Sequence, residues 1–427
     1  MNLSMQYESI KQQASCSDDY DTESLSVERA RENILAGIEV VGGTEQLPLQ
    51  QSLNRVLAQD VVSGMDVPGH TNSAMDGYAL SGDGLPEAKP RQYTVIGTAF
   101  AGQPFKGQCN AGQCVRIMTG AAMPAGTDTV IMQEHVEKLS DAEALIPPGQ
   151  RPGQNVRQAG EDIGRNSVVL DKGRPLQAAD LGVLASIGVG EVDVYRRPRV
   201  AFFSTGDELR PVGDTLGNGD IYDSNRYSLF GMLSQLNVDI DDLGIVRDNP
   251  GDLKQAFEQA SNSADLVITT GGVSVGEADH VKQIIDSLGE IRFWKIAMKP
   301  GRPLAFGRVG RAAFFGLPGN PVSVMTTFYQ FVLPAIQRLA GRVGYRPLTI
   351  DVVCKSDLKK RPGRFEFQRG VLSRDDSGAL SVSVTGKQGS GILTSMSLAN
   401  CLILLDEDCE GVEAGDTVAV QPLTTSL

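Results

Sequence analysis

Long apolar runs are missing from this 427-residue chain: no stretch approaches the roughly 20 residues that cross a bilayer, and the first residues hold no signal-peptide core. The expectation is a cytoplasmic protein that makes no membrane contact. Histidine is scarce, at three residues (His70, His135, His280), which argues against a His-rich zinc site. The six cysteines (Cys16, Cys109, Cys114, Cys354, Cys401, Cys409) form no C-x-x-C pair and share no ligand spacing, the usage of scattered reduced thiols. Positive charge is in deficit, with 39 Lys+Arg against 52 Asp+Glu and a net charge of −13, which argues against a nucleic-acid surface. Any anion site must therefore be a local basic pocket. Walker A and Rossmann fingerprints are also missing, so a nucleotide held in either of those ways is not expected.

The chain is too long for one ordinary core, and three or four domains are expected. Residues 1–25 are polar and acidic and read as a disordered tail. Val27 to Val41 places Ala30, Ile34, Ile38 and Val41 at helical spacing, with Ser26 as cap. From about 50 to 165, short β-prone runs alternate with Gly/Pro turns, as in an all-β module, and 175–190 returns to helical composition. Strands then alternate with helices. Ser224 and Asn225 are set to cap a helix carrying Leu229, Phe230, Leu233 and Leu236 on one face, followed by a strand at Val238–Val246 and a helix at Leu253–Ala260. That alternation predicts a central three-layer α/β domain with a mostly parallel sheet. The last eighty or so residues, after Pro347, are β-rich and read as a small barrel or sandwich.

Three apolar runs end in small or Gly-rich turns: Val200–Phe203 before Ser204–Leu209, Leu266–Thr269 before Thr270–His280, and Ala312–Phe315 before Gly316–Ser323. Open α/β sheets bind ligands at such strand ends, where glycines admit close backbone approach and free N–H groups favour anions. Gly271, Gly272 and Ser274 lie in the second turn. Carboxylates in the same turns (Asp207, Glu208, Glu277, Asp279) repel an anion unless a cation bridges them, so a phosphorylated ligand held through Mg²⁺ is the first hypothesis; Asp223 and Asp248 complete the acidic set. For Asp248 alone, an ordinary helix-cap or turn aspartate is the competing reading. If Arg292–Met298 is one continuing strand, Lys295 and Lys299 share a face, with Arg302 just beyond Pro300, which suits several phosphates or oxyanions. A solvated edge strand explains the same lysines.

In order along the chain stand NSAMDGYA, RIMTGA, GEDI, FSTGDEL, YDSNR, RDNP, TTGGVSVGEAD, KIAMKPGRP, GLPGNPVS, RFEFQRG and QGSGIL. Together they resemble the molybdopterin molybdenumtransferase family, the enzymes that insert molybdate into adenylylated molybdopterin. The resemblance runs from about residue 26 to the C terminus. It implies a homodimer of four-domain protomers: a dimerisation domain from 26–66 and 164–197, an inserted β module at 67–163, an α/β molybdopterin-binding domain at 198–346 and a C-terminal β-barrel at 347–427. It also implies an active site shared between the α/β domain of one protomer and the β module of the other. By motif position, Glu208, Asp248, Asp279, Lys295 and Lys299 match the family's active-site residues, with the three carboxylates as the Mg²⁺ ligands. Asp76, Thr119, Arg157 and Asp162 match those of the facing module. Pro318, Pro321 and Ser390 match further substrate-binding positions. Arg302 stands where lysine is common, and His70-Thr71 replace a frequent aromatic–acidic pair. The implied reaction releases AMP, with molybdate as substrate. The adenylyltransferase that makes the substrate and molybdoenzyme chaperones are the implied partners. A pterin-binding adenylyltransferase-like enzyme or a dimeric scaffold on the same fold is the alternative.

Overall fold

The computed structural model describes residues 24–271, 289–374 and 378–423. The chain forms two compact units. One holds the N-terminal part to Glu45, then Asn54–Val56, and everything from Tyr195 onward; the other holds Gln46–Leu53 and Leu57–Val194.

The first unit begins with helix α1 (Val27–Ala36), whose Ser26 Oγ accepts the Arg29 N–H at 3.2 Å, the cap expected from sequence. The helix ends at Ala36, short of Val41, yet Ile38 and Val41 stay buried in the same core. Apolar spacing thus outlasts the helix, because the buried stripe continues along non-helical chain. The central sheet comprises β1 (Arg199–Thr205), β2 (Asp239–Val246), β3 (Leu266–Thr270), β4 (Gly289–Lys295), β6 (Pro303–Val309) and β7 (Ala312–Leu317), with the short β5 (Met298–Lys299) outside it. Its order is β2-β1-β3-β7-β6-β4. The first four strands run parallel, and β6 is antiparallel to both β7 and β4.

Alternation along β1 sends Val200 and Phe202 into one core and Ala201 and Phe203 into another. On the first face lie α1, α2 (Ser224–Ser234), and a helix from Pro321 to Leu339 interrupted by a π-helical turn at Phe328–Val332. On the second, α3 (Pro250–Ser263) places Phe257 edge-on to Phe203 and Phe314, with ring centroids 5.2 and 5.5 Å away. The three-layer, mostly parallel reading is therefore correct. Two details of it are not. The cap of α2 is Asp223, whose carboxylate accepts the Arg226 N–H, not Ser224 or Asn225. Leu229 and Leu233 are buried, but Phe230 is 48% exposed and Leu236 lies beyond the helix end.

In the C-terminal region, β8 (Ile350–Cys354), β9 (Phe365–Arg374), β10 (Leu380–Val384), β11 (Cys401–Leu405) and β12 (Thr417–Pro422) close a five-stranded ring in the order β9-β10-β8-β12-β11-β9. Closure removes the free edges that short strands otherwise expose. Of the two readings after Pro347, the barrel is the one formed.

The second unit contains a six-stranded sheet in the order Thr129–Met132, Gly77–Leu80, Gln113–Ile117, Arg91–Ala99, Glu143–Ile146, Glu137–Lys138. A separate core of Leu57, Leu170, Leu176, Leu184, Val192 and Val194 seats the helix Ala178–Ser186. Asp180 anchors that helix by accepting the Gln177 N–H and pairing with the Arg174 guanidinium.

Candidate active site

Because β1, β2, β3 and β7 are parallel, their carboxyl ends emerge on one edge of the sheet. The register sets Ser204 beside Thr270 and Thr270 beside Leu317. Within that edge the Thr270 hydroxyl donates to Ser204 Oγ at 3.0 Å, and Thr205 Oγ1 is buried without a hydrogen-bond partner. Beyond β1, Gly206 has φ +153°, and a Cβ there would lie 2.7 Å from Glu208 Oε2. The Glu208 carboxylate folds back beside this glycine at the strand end. Its neighbour Asp207 accepts the Asp248 N–H at 3.4 Å, tying the loop after β1 to the loop after β2. Asp248 is not the helix cap: that role belongs to Asn249, whose Oδ1 accepts the Asp252 N–H at 3.0 Å, with Pro250 opening the helix. After β3, Gly271 has φ +86° and a Cβ there would meet the Thr205 carbonyl oxygen at 2.3 Å. Gly272, Ser274, Glu277 and Asp279 lie outside the described residues.

The turn after β7 carries Pro318 and Pro321. The Asn225 amide donates to the Gly319 carbonyl at 2.7 Å, and the Val322 N–H to the Ser390 carbonyl at 3.1 Å. Ser390 thus comes from the barrel to the start of the long helix. The loop holding it is fastened by Arg369 of β9: its guanidinium donates to the Gly389 carbonyl and to Ser395 Oγ, while the Arg369 N–H donates to Gln388 Oε1. Arg369 is 1% exposed, and burial pushes its guanidinium down to about 10. Sequence gives no sign of this role, because RFEFQRG stands there only as one motif of the resemblance in a β-rich stretch.

The lysine arrangement differs from expectation. Lys295 ends β4, which runs antiparallel to β6, with Lys295 opposite Pro303. The chain then breaks at Ile296, whose N–H donates to the Arg302 carbonyl at 2.8 Å. Residues Met298–Lys299 join the barrel instead, parallel to β9, with Lys299 opposite Glu366. The two lysines consequently occupy strands of different sheets, not one face of one strand. The break follows from the paired segment: Leu25 bridges Ile296, its N–H bonding the Lys295 carbonyl and its carbonyl accepting the Ala297 N–H, so the segment's edge groups leave the sheet direction of β4. Lys299 Nζ lies 3.1 Å from Glu366 Oε1.

In the second unit, Asp76 Oδ1 accepts both the Thr119 N–H at 2.7 Å and the Thr119 hydroxyl at 2.8 Å. The backbone bond foremost, then the hydroxyl, holds the Asp76 carboxyl below the usual carboxylate range. Arg157 pairs across a short ladder with Asn72, four positions before Asp76. Asp162 is fixed by its N–H to the Val67 carbonyl at 3.0 Å. Asp76 and Thr119 thus meet directly, Arg157 lies opposite Asn72 on the short strand upstream of Asp76, and Asp162 is anchored separately.

Among the described residues no three His, Cys, Asp or Glu side chains converge as a metal centre. Glu208 and Asp248 nonetheless carry hard oxygen donors on two joined loops at the strand ends, a donor type that suits Mg²⁺ completed by ligand phosphates and water.

Three family models match in succession: the MoeA N-terminal region (domain I and II) over residues 25–188, a probable molybdopterin binding domain over 201–338, and the MoeA C-terminal region (domain IV) over 351–423. The chain is 43% identical over 404 residues to the molybdopterin molybdenumtransferase of Haemophilus influenzae, covering 94% of this chain and 100% of that one. It is 36% identical to the molybdopterin molybdenumtransferase of Nostoc, over 92% of this chain and 91% of the relative. A solved molybdopterin biosynthesis moeA protein from Pyrococcus horikoshii superposes with a TM-score of 0.82 at 29% identity, over 93% of this chain and 100% of that chain. The chain belongs to the molybdopterin molybdenumtransferase family of enzymes.

Proposed function

We propose that this chain inserts molybdate into adenylylated molybdopterin with Mg²⁺-dependent release of AMP. The observation that carries the reading is the one edge of the parallel sheet where Glu208, Asp248, Gly271 and the Pro318–Pro321 turn gather, with Ser390 of the barrel bonded to the same turn. Lys295, Lys299 and Arg302 bind the phosphates and the molybdate oxyanion through charge-assisted hydrogen bonds. Glu208, Asp248 and Asp279 hold Mg²⁺, which screens the phosphoanhydride charge. The chain's part is positioning: Gly206 and Gly271 bring backbone close to the substrate, and the carboxylates orient the attacking oxygen. Attack of a water oxygen on the anhydride phosphorus breaks the P–O–P bond and leaves AMP and the molybdopterin phosphate; the two dithiolene sulfurs, giving up their protons, then ligate molybdenum as one molybdate oxygen departs as water.

The working form is a cytoplasmic homodimer in which Asp76, Thr119, Arg157 and Asp162 of a second copy face this site. Mutual support comes from their geometry, since Asp76 and Thr119 form one preorganised hydrogen-bonded pair. The adenylyltransferase that supplies the substrate and chaperones that accept the product complete the partner set.

The test is AMP release from adenylylated molybdopterin with purified protein and Mg²⁺, with and without molybdate. Molybdate-dependent release, with product that reconstitutes a molybdenum apoenzyme, supports the reading. Tight pterin binding without release would replace it with a carrier or scaffold role.

A further inference from the structure

Glu366 is a buried carboxylate whose side chain is 8% exposed, and the proposed reaction makes no use of it. Burying a carboxylate is costly unless it is both paired and hydrogen-bonded. Here Oε1 faces Lys299 Nζ at 3.1 Å, while Oε2 accepts from Gln368 Nε2 at 3.2 Å. The Gln368 amide also donates to the Lys359 carbonyl at 3.2 Å, so it is itself fixed. Backbone register aligns the pair, because β5 lies parallel to β9 with Lys299 directly opposite Glu366. The Phe365 N–H donates to the Ala297 carbonyl at 2.8 Å, which pins the two strands beside the pair. Lys299 differs from its partner in exposure: its side chain is 51% exposed, so the ammonium meets Glu366 on one side and solvent on the other. An ammonium carries three N–H donors, and a carboxylate on one side leaves others for an incoming oxyanion.

We infer that Glu366 is a positioning residue for the oxyanion-binding role of Lys299, an assignment that rests on the insertion reading above. Lysine is a point charge on a flexible four-carbon stem, and an anion that must first order that stem binds less well. Glu366 removes the ordering step by holding Nζ where the barrel meets the α/β domain. The barrel therefore contributes to the substrate site through a side chain that does not itself face the anion.

Three variants and a double-mutant cycle test this. Replacing Glu366 by leucine removes the acceptor, and the KM for molybdate is expected to rise about tenfold with kcat within about twofold. E366Q retains an oxygen that accepts from Nζ, and its KM is expected within about threefold of wild type. In a K299M background E366L should add nothing to the KM, because the group it positioned is gone. A role confined to barrel stability would lower the melting temperature and leave the KM effects of E366L and K299M independent; equal KM increments in both backgrounds would overturn the inference. If E366L does not fold, E366D carries the test. Its retracted carboxylate should raise the KM about threefold when Lys299 is present and leave it unchanged in the K299M background. An inactive wild-type chain would overturn both the insertion reading and this one, whereas an active wild type with additive variants overturns the positioning role alone.

Discussion

Gly271→Ala probes the strand-end geometry most directly. Alanine at φ +86° occupies the left-handed region, which costs an L-residue roughly 1–2 kcal/mol. Its Cβ would also stand 2.3 Å from the Thr205 carbonyl oxygen, where contacts below 3.0 Å are not tolerated, so the two must part by about 0.7 Å (3.0 − 2.3). That oxygen is backbone at the end of β1, buried and in register with Val246 of β2, and cannot swing aside as a side chain would. Overpacking of this kind adds about 1–3 kcal/mol. Against these stands the entropy that alanine removes from the unfolded chain, about 0.4–1 kcal/mol. The net expectation is a loss of about 1–5 kcal/mol, centred near 3, with the upper part realised if the loop cannot shift. Urea denaturation of the full chain, followed by tryptophan fluorescence and far-UV circular dichroism, measures it. With a slope near 3 kcal/mol/M, the midpoint should fall by roughly 1 M. Turnover should fall further than stability implies, because moving Thr205 also moves Gly206 and Glu208, and displacements approaching 1 Å can cost about a hundredfold. A midpoint within about 0.2 M of wild type, together with turnover within about twofold, would refute the close approach and its role.

Other perturbations follow from the same structure. Gly231→Ala, inside α2 with nothing within 4 Å of the added methyl, should stabilise the protein by about 0.5–1 kcal/mol, read as a raised melting temperature. Asp265 works differently: burial acts to raise its carboxyl, but hydrogen bonds from Arg196 and the Arg199 N–H outweigh that and leave it lowered. A lowered carboxylate contributes stability that is complete above the unfolded value near 3.9 and is lost as pH falls through the folded value. Asp265→Asn should therefore destabilise by about 2 kcal/mol at neutral pH and flatten the acid limb of the melting-temperature profile below about pH 4; an unchanged limb would count against the pair. Asp76→Asn should slow turnover more than about tenfold while the melting temperature stays within about 1 °C, since the Thr119 contact sits on a loop. Turnover equal to wild type would remove Asp76 from the site.

What is legible in the sequence is what local chemistry dictates. The β1, β3 and β7 runs are apolar throughout because both sheet faces are covered, and Gly271 after β3 has to be glycine because a Cβ there would meet the Thr205 carbonyl oxygen. Ser26 announces a helix start because its side chain answers a local N–H. The end of that helix is not legible, since Ile38 and Val41 keep helical spacing while packing as irregular chain. Asp223 does not stand out as a cap because Ser224 and Asn225 beside it are equally good cap residues, and only backbone geometry separates them.

The lysine pair shows the limit most sharply. Read along the chain, Lys295 and Lys299 share a parity and therefore a face, but parity holds only while one strand continues. Leu25, far off in sequence, bonds the backbone on both sides of Ile296 and ends that continuity. Lys299 then answers to a different sheet and to Glu366, a residue that reads from sequence as one polar step in an alternating strand. Neither Leu25 nor Glu366 carries a local signal, because what matters about each is a register set by tertiary pairing. The candidate carboxylates can be named from their turns, while the carboxylate paired with Lys299 becomes visible only when the barrel closes and sets β9 against β5. It follows that residues supporting this site indirectly should be sought on strands of the barrel that the motifs cross but do not explain, with Glu366 and Arg369 as the first two, each buried and each bonded toward a motif residue or its loop.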